Sequence, residues 1–374
     1  MSTKKKILIT GGAGFVGSHL ADALLEAGHE VLILDSLSPQ VHTNGAPEYL
    51  ALEAELIQGD MRDASAVRRA IDNVEVIFHL AAAVGVGQSM YQIADYMGSN
   101  TQGTAVLLQA LLDRKSRVEK LVVASSMSIY GEGQYLCGNC GDVTPGPRDN
   151  AQLLKKRWEV LCPKCGTELT PVPTTEIKPL QCTSVYALSK KDQEEICLLY
   201  GRTYGLPVVA LRYFNIYGTR QALSNPYTGV AAIFASRLLN GRAPMVFEDG
   251  QQMRDFVSVR DVVVANLLAM SSDRADGKAL NIGSGMPISI QEVSAALSRA
   301  LSTTIPCEIT GKYRAGDIRH CFGDISQARE LLGYEPRVSF DEGMAELADW
   351  LREQSADDRS SDMVAELQTF GLTA

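Results

Sequence analysis

Apolar and polar positions alternate between two rhythms over the first 125 residues. The short runs "KKILIT", "EVLILD", "AELIQGD", "VEVIFHLAA" and "EKLVVASS" are aliphatic at nearly every position. That pattern suits strands buried on both faces of a parallel sheet. Between them, stretches such as "SHLADALLEAG" and "TQGTAVLLQALLD" carry apolar residues at helical spacing. The alternation predicts an α/β fold, a doubly wound parallel sheet with helices on both faces. A further helix is predicted from about Ser184 to Tyr204, then the strand "PVVALRYFN". From Ile216 onward the rhythm loosens into loops and short elements. Such a half is expected to cover the carboxyl edge of the sheet, where ligands bind. The last 20 residues read as a polar linker and one short amphipathic helix, and no internal repeat is visible.

Composition narrows the class. At 374 residues the chain is long enough for one or two domains with a large core. A net charge of −9 gives no global attraction to nucleic acid or to an anionic membrane. The start, "MSTKKKILITGG", has only a four-residue apolar run before its glycines, too short for a signal peptide, and no segment approaches a membrane span. A cytoplasmic location is expected, where eight cysteines read as thiols or metal ligands rather than disulfides.

"ITGGAGFVGSHL" sets Gly11, Gly14 and Gly17 between the first strand and the first helix, with Phe15 and Val16 among them. Glycines there let the chain turn tightly and let a pyrophosphate approach the helix N-terminus. Alone they would fit a structural turn; the strand–helix–strand setting makes them a candidate dinucleotide cradle. Asp35, with Ser36 beside it, closes the second strand, where a carboxylate would bind ribose hydroxyls and repel a 2′-phosphate. NAD is therefore predicted over NADP. "SVYALSK" places Tyr186 and Lys190 one helical turn apart, on one face. A nearby ammonium favours a phenolate, so Tyr186 is a candidate general base. By itself the pair would be an ordinary surface pair; Ser126, at the end of the fifth strand, supplies a third member.

Together these pieces resemble the extended short-chain dehydrogenase/reductase family, in particular its nucleotide-sugar epimerases and dehydratases. The matching segments are "TGGAGFVGSH", "HLAAAVGVGQS", "NTQGTAVLL", "SSMSIYG", "YALSK", "LRYFNIYG", "RDFVSVRD", "NIGSG" and "RAGDIRH", in family order and over nearly the whole chain. The resemblance implies Ser126, Tyr186 and Lys190 as the catalytic triad. It implies Asp60 and Met61 near the adenine, Leu80, Ala81, Ala82 and Asn100 along the cofactor, and Tyr213 near the nicotinamide. It implies Asn215, Arg254, Arg314 and Asp317 around the diphosphate of a nucleoside-diphosphate sugar, where paired guanidinium groups suit bidentate hydrogen bonding. It further implies a homodimer built on the helices around 95–113 and 184–204.

Dehydratases of this family carry an acidic pair directly after the catalytic Ser/Thr, and decarboxylating relatives keep a Glu in that stretch. Met127 and Ser128 stand there in this sequence. The reading that remains is 4-epimerisation: transient oxidation at C4 and re-reduction on the other face. The subfamily most resembled is that of bacterial dTDP-L-rhamnose 4-epimerases, which make dTDP-6-deoxy-L-talose. A UDP-hexose or UDP-uronate 4-epimerase stays open. So does a non-catalytic NAD-binding sensor, although a sensor has no need of Ser126, Tyr186 and Lys190.

"CGNC" and "CPKC" interrupt the family pattern. Cys137, Cys140, Cys162 and Cys165 form two CxxC pairs 21 residues apart, each followed by Gly. Two such knuckles suit one tetrahedral structural Zn²⁺ with no open position. A redox role fits less well, because neither pair opens a helix after a strand. The other cysteines, Cys182, Cys197, Cys307 and Cys321, read as thiols; the resemblance puts Cys321 against the sugar pocket. The predicted organisation is a Rossmann-type NAD-binding domain over 1–133, a zinc-ribbon insertion over 134–173 and a Rossmann continuation over 174–219. A smaller α/β substrate domain follows over 220–374, of which about 252–285 returns to the first. No nucleic acid or membrane is expected as a partner.

Overall fold

The computed structural model describes residues 4–114, 117–314 and 316–373. Its first half supplies β1 (Lys6–Thr10), β2 (Glu30–Asp35), β3 (Glu55–Gln58), β4 (Val76–His79) and β5 (Lys120–Ser126). The segment that carries the paired cysteines adds β6 (Gln134–Cys137), β7 (Gly141–Val143) and β8 (Thr170–Val172). Then come β9 (Val208–Tyr213), β10 (Asn215–Tyr217), β11 (Met245–Val246), β12 (Met253–Ser258), β13 (Lys278–Ile282), β14 (Pro287–Ser289), β15 (Glu308–Ile309) and β16 (His320–Cys321). Seven strands form one parallel sheet in the order β13-β9-β5-β4-β1-β2-β3. Successive side chains of β1 take opposite faces. Ile7 and Ile9 join one core with Leu20 and Leu24 of the helix Phe15–Glu26; Leu8 joins another with Leu107 and Leu111 of the helix Gly103–Asp113. Both faces are dry, which is why the strands are apolar throughout.

The smaller half is built on β10-β12-β14, with β16 also on β12. This moves two expected boundaries. β12 lies within the stretch expected to return to the first domain, and β10 within the expected Rossmann continuation. Both pair in the smaller sheet instead. The return is made by the helix Val259–Ser271 and β13. Residues 134–173 fold as an antiparallel three-stranded sheet, β7-β6-β8, around Tyr135, Val143, Val160, Leu169 and two cysteines. No helix among the described residues is long and apolar enough to cross a membrane.

Candidate active site

β1 pairs with β2 on one side and β4 on the other, so the crossovers diverge there and a crevice opens at the carboxyl ends of the strands. One continuous cleft of about 1550 Å³ runs from this point into the smaller half. Single small-molecule sites occupy roughly 300–1,000 Å³, so this cleft has room for more than one ligand.

Gly11, Gly14, Phe15, Val16 and Gly17 form its first wall. Gly14 caps the helix Phe15–Glu26 without a side-chain hydrogen bond, leaving the helix's first N–H groups for a ligand. Gly11 has φ +71°, and a Cβ there would lie 2.8 Å from the Ala81 backbone; one on Gly17 would lie 2.5 Å from the Gly11 carbonyl. The turn therefore admits no side chains, and its bare backbone fits a pyrophosphate. Asp35 stands at the end of β2, its carboxylate accepting from the N–H groups of Ala13 (3.1 Å) and Leu37 (2.9 Å). Ser36, Asp60, Met61, Leu80, Ala81 and Ala82 continue the wall. A bidentate Arg62 holds the Asp60 carboxyl below its ordinary pKa. Glycine cradle, carboxylate and flanking wall together fit NAD.

Ser126, Tyr186, Lys190 and Tyr213 all line the cleft. The Ser126 hydroxyl accepts from the Ser128 hydroxyl at 2.9 Å, and its nearness to the Tyr186 phenol favours the phenolate. A buried ion pair fixes this geometry. Arg212 of β9 donates twice to Glu194 of the helix Val185–Tyr204, at 2.9 and 2.6 Å, and Ser125 of β5 donates to the same carboxylate. The strand bearing Ser126 is thus tied to the helix bearing Tyr186. The electrostatics differ from the expectation that an ammonium lowers the tyrosine. Crowding by protein pushes Tyr186 up, opposed by the neighbouring Ser126 hydroxyl, and burial pushes Lys190 down to about 7. The Lys190 amine donates to Gln193 at 2.6 Å, and Gln193 contacts His79, which burial drives down to about 3 and keeps neutral. Desolvation dominates both groups. Sequence reasoning missed Gln193 and His79; their only signal is a Gln one turn beyond Lys190 and a His inside an otherwise apolar strand.

Asn215, Arg254, Arg314 and Asp317 line the far end. Arg254 donates to the carbonyls of Met253, Ile318 and Arg319 at 2.6–2.9 Å, and among the described residues no carboxylate pairs with it. Arg314 bonds Asp317 at 2.7 Å and lies over the Phe247 ring, 4.8 Å from its centroid. Asn215 Oδ1 is buried without a partner among the described residues. Met363 and Leu367 of the C-terminal helix Ser360–Thr369 also reach the cleft. Glu366 of that helix accepts hydrogen bonds from Tyr91 and Tyr227. Only an amphipathic helix was legible there, not where it docks.

Two expected residues stand elsewhere. Asn100 is buried behind the wall in a π-helical turn, Met97–Gln102. Its amide is spent on both backbone groups of Ala83 and on Ser189, so it shapes the cofactor loop from behind. Cys321 does not face the sugar region; it packs with Met127, Tyr130 and Phe214 because β16 turns it inward. Away from the cleft, the sulfurs of Cys137, Cys140, Cys162 and Cys165 all lie within 4.8 Å of one another, two of them 3.5 Å apart. Four thiolates about 2.3 Å from a tetrahedral Zn²⁺ would be roughly 3.8 Å apart, so the donor set fits one.

Residues 7–149 match the NAD dependent epimerase/dehydratase family, and residues 166–347 match the GDP-mannose 4,6 dehydratase model. A dTDP-L-rhamnose 4-epimerase of Burkholderia thailandensis is 33% identical over 94% of this chain and 96% of its own. The UDP-glucose 4-epimerase of Thermotoga maritima, solved with UDP-glucose, is 31% identical, with a TM-score of 0.76 over 93% of this chain and 99% of its own. The UDP-glucose 4-epimerase of Thermus thermophilus, solved with NAD, is also 31% identical, with a TM-score of 0.74 over the same shares.

Proposed function

The chain belongs to the NAD dependent epimerase/dehydratase family, and on that premise we propose that it is a nucleotide-sugar 4-epimerase converting dTDP-L-rhamnose to dTDP-6-deoxy-L-talose. The observation that carries the reaction type is that Ser126, Tyr186 and Lys190 all line the cleft, with Met127 and Ser128 rather than acids directly after Ser126. The dehydratase match covers only residues 166–347 and so does not bear on that stretch.

Tyr186 takes the proton of the C4 hydroxyl, and Ser126, held by Ser128, keeps the phenol and the sugar oxygen in line. When bound, NAD supplies the hydride chemistry, taking hydride from C4 and returning it to the opposite face. Lys190 would bind the ribose of the nicotinamide half, and in its charged form it favours the Tyr186 phenolate. After the 4-keto sugar has turned, Tyr186 gives its proton back. Gly11, Gly14 and Gly17 receive the pyrophosphate, Asp35 the ribose, and Arg254 and Arg314 the sugar's diphosphate.

The Burkholderia relative supports the rhamnose substrate. The Thermotoga enzyme supports a second reading, a UDP-hexose. Incubation with UDP-, dTDP- and GDP-sugars, with products identified by NMR, separates them. Epimerisation of none of these sugars would end the proposal. We also infer one structural Zn²⁺ on the four cysteines, and pairing of two copies through the helices Gly103–Asp113 and Val185–Tyr204. Those helices expose Leu112, Leu188 and Leu199.

A further inference from the structure

The insertion does more than fold on itself. Its two ends grip β16: Gly133 N–H donates to the His320 carbonyl at 2.8 Å, and Thr174 N–H donates to the Phe322 carbonyl at 2.8 Å. Its body reaches further. Arg148, almost fully buried, donates to both carboxylate oxygens of Glu248 at 2.6 and 3.0 Å, to the Trp158 carbonyl at 2.9 Å and to the Asp317 carbonyl at 3.1 Å. Glu159 accepts from Arg319 at 2.6 and 3.1 Å and from His320 Nε2 at 3.1 Å. The imidazole's other nitrogen accepts the Met253 N–H, so Nε2 carries the proton toward Glu159. Arg319 is completed by Glu248 and Asp249, and its own N–H goes to Glu132, just before the insertion.

The far side of the same short segment faces the cleft. Arg314 and Asp317 line it, and the carbonyls of Ile318 and Arg319 hold the Arg254 guanidinium. The backbone from 316 to 320 therefore has the insertion's charges behind it and the candidate diphosphate site in front. Compensated buried ion networks hold one geometry, because any shift leaves a charge unpaired. We propose that Arg148 and Glu159 are positioning residues, through which the insertion sets the affinity of the nucleotide half of the substrate. This rests on the nucleotide-sugar reading above.

The test uses the full-length protein carrying its NAD, with dTDP and UDP as probes in calorimetry. Wild type is expected to bind at least one. If it binds neither, the nucleotide-sugar reading falls and this proposal with it. Glu159→Gln keeps the side chain's shape and removes its charge. It is expected to weaken diphosphate binding and raise KM about tenfold, the scale of one charge-assisted hydrogen bond, with bound NAD and kcat retained. Glu159→Asp should recover part of the loss. Arg148→Lys, which keeps the charge but cannot reach Glu248 and Asp317 together, should fall between. Wild-type diphosphate affinity in folded Glu159→Gln and Arg148→Lys would overturn the proposal. So would parallel loss of NAD and diphosphate binding, which would mark a general loss of stability.

Discussion

Replacing Tyr186 with Phe separates chemistry from folding at the proposed site. The change deletes one oxygen, beside Ser126 in a crowded position that already pushes the phenol's pKa up. A net hydrogen bond is worth about 0.5–1.5 kcal/mol, and removing a poorly solvated hydroxyl offsets part of that. The edge-to-face contact with Tyr96, at 6.4 Å between centroids, is kept. The variant should therefore fold and retain NAD. General acid–base catalysis contributes about 10²- to 10⁴-fold, or about 2.7–5.4 kcal/mol of barrier at about 1.36 kcal/mol per decade. The chemical effect thus exceeds the structural one severalfold. The assay is turnover of whichever nucleotide sugar the wild type epimerises, followed by NMR, with NAD content and thermal unfolding measured on the same sample. The expected result is turnover at least about a hundredfold lower with both controls near wild type. Turnover within about tenfold of wild type, below the general-base range, would refute Tyr186 as the base.

Lys190→Met removes the ammonium proposed to favour the Tyr186 phenolate, so the acid limb of the pH–rate profile should move to higher pH, read from kcat/KM across pH. Asp35→Asn should weaken NAD and improve NADP, measured by calorimetry on stripped protein; unchanged discrimination would remove Asp35 from cofactor choice. Metal analysis should find one zinc per chain, and Cys162→Ser should release it while leaving most NAD bound. Glu159 is held down to about 2, chiefly by the His320 hydrogen bond, against an ordinary 4.5. A depressed carboxylate stabilises the fold above its ordinary pKa and loses that contribution as pH falls through the folded value. Acid titration from about pH 4.5 toward 2 should therefore loosen the docked insertion, seen in Trp158 fluorescence in a Trp350→Phe background, and Glu159→Gln should abolish that dependence.

The sheet and the cofactor wall were legible because local rules govern them. Strands buried on both faces must be apolar throughout, and a turn under a helix N-terminus must be glycine where a Cβ would strike backbone 2.8 Å away. CxxC spacing likewise brought four sulfurs together across 28 residues. What the sequence hid depends on partners far along the chain. Asn100 looked like a cofactor contact, but its donors are claimed by Ala83 and Ser189. Cys321 looked pocket-facing, but the register of β16 on β12 turns it inward. The Tyr186–Lys190 spacing was visible, whereas the desolvation that reverses the shift expected of Tyr186 and lowers Lys190 comes from the elements packed around them.

The same distinction explains why the cysteines marked out the segment over 134–173 but not how it docks. A metal knuckle is a local device, fixed by residues two or three positions apart. Its docking is not local: Arg148 meets Glu248 and Asp317, and Glu159 meets Arg319 and His320, partners 100 to 169 positions away. Each is an ordinary charged residue in an ordinary polar stretch, and nothing in its own neighbourhood says that Arg148 will be buried or Glu159 half-buried. Burial makes it consequential, because a guanidinium withdrawn from water must keep its carboxylates. A chain that places such a network directly behind Arg314 and Asp317 has joined the stability of the insertion to the shape of the cleft.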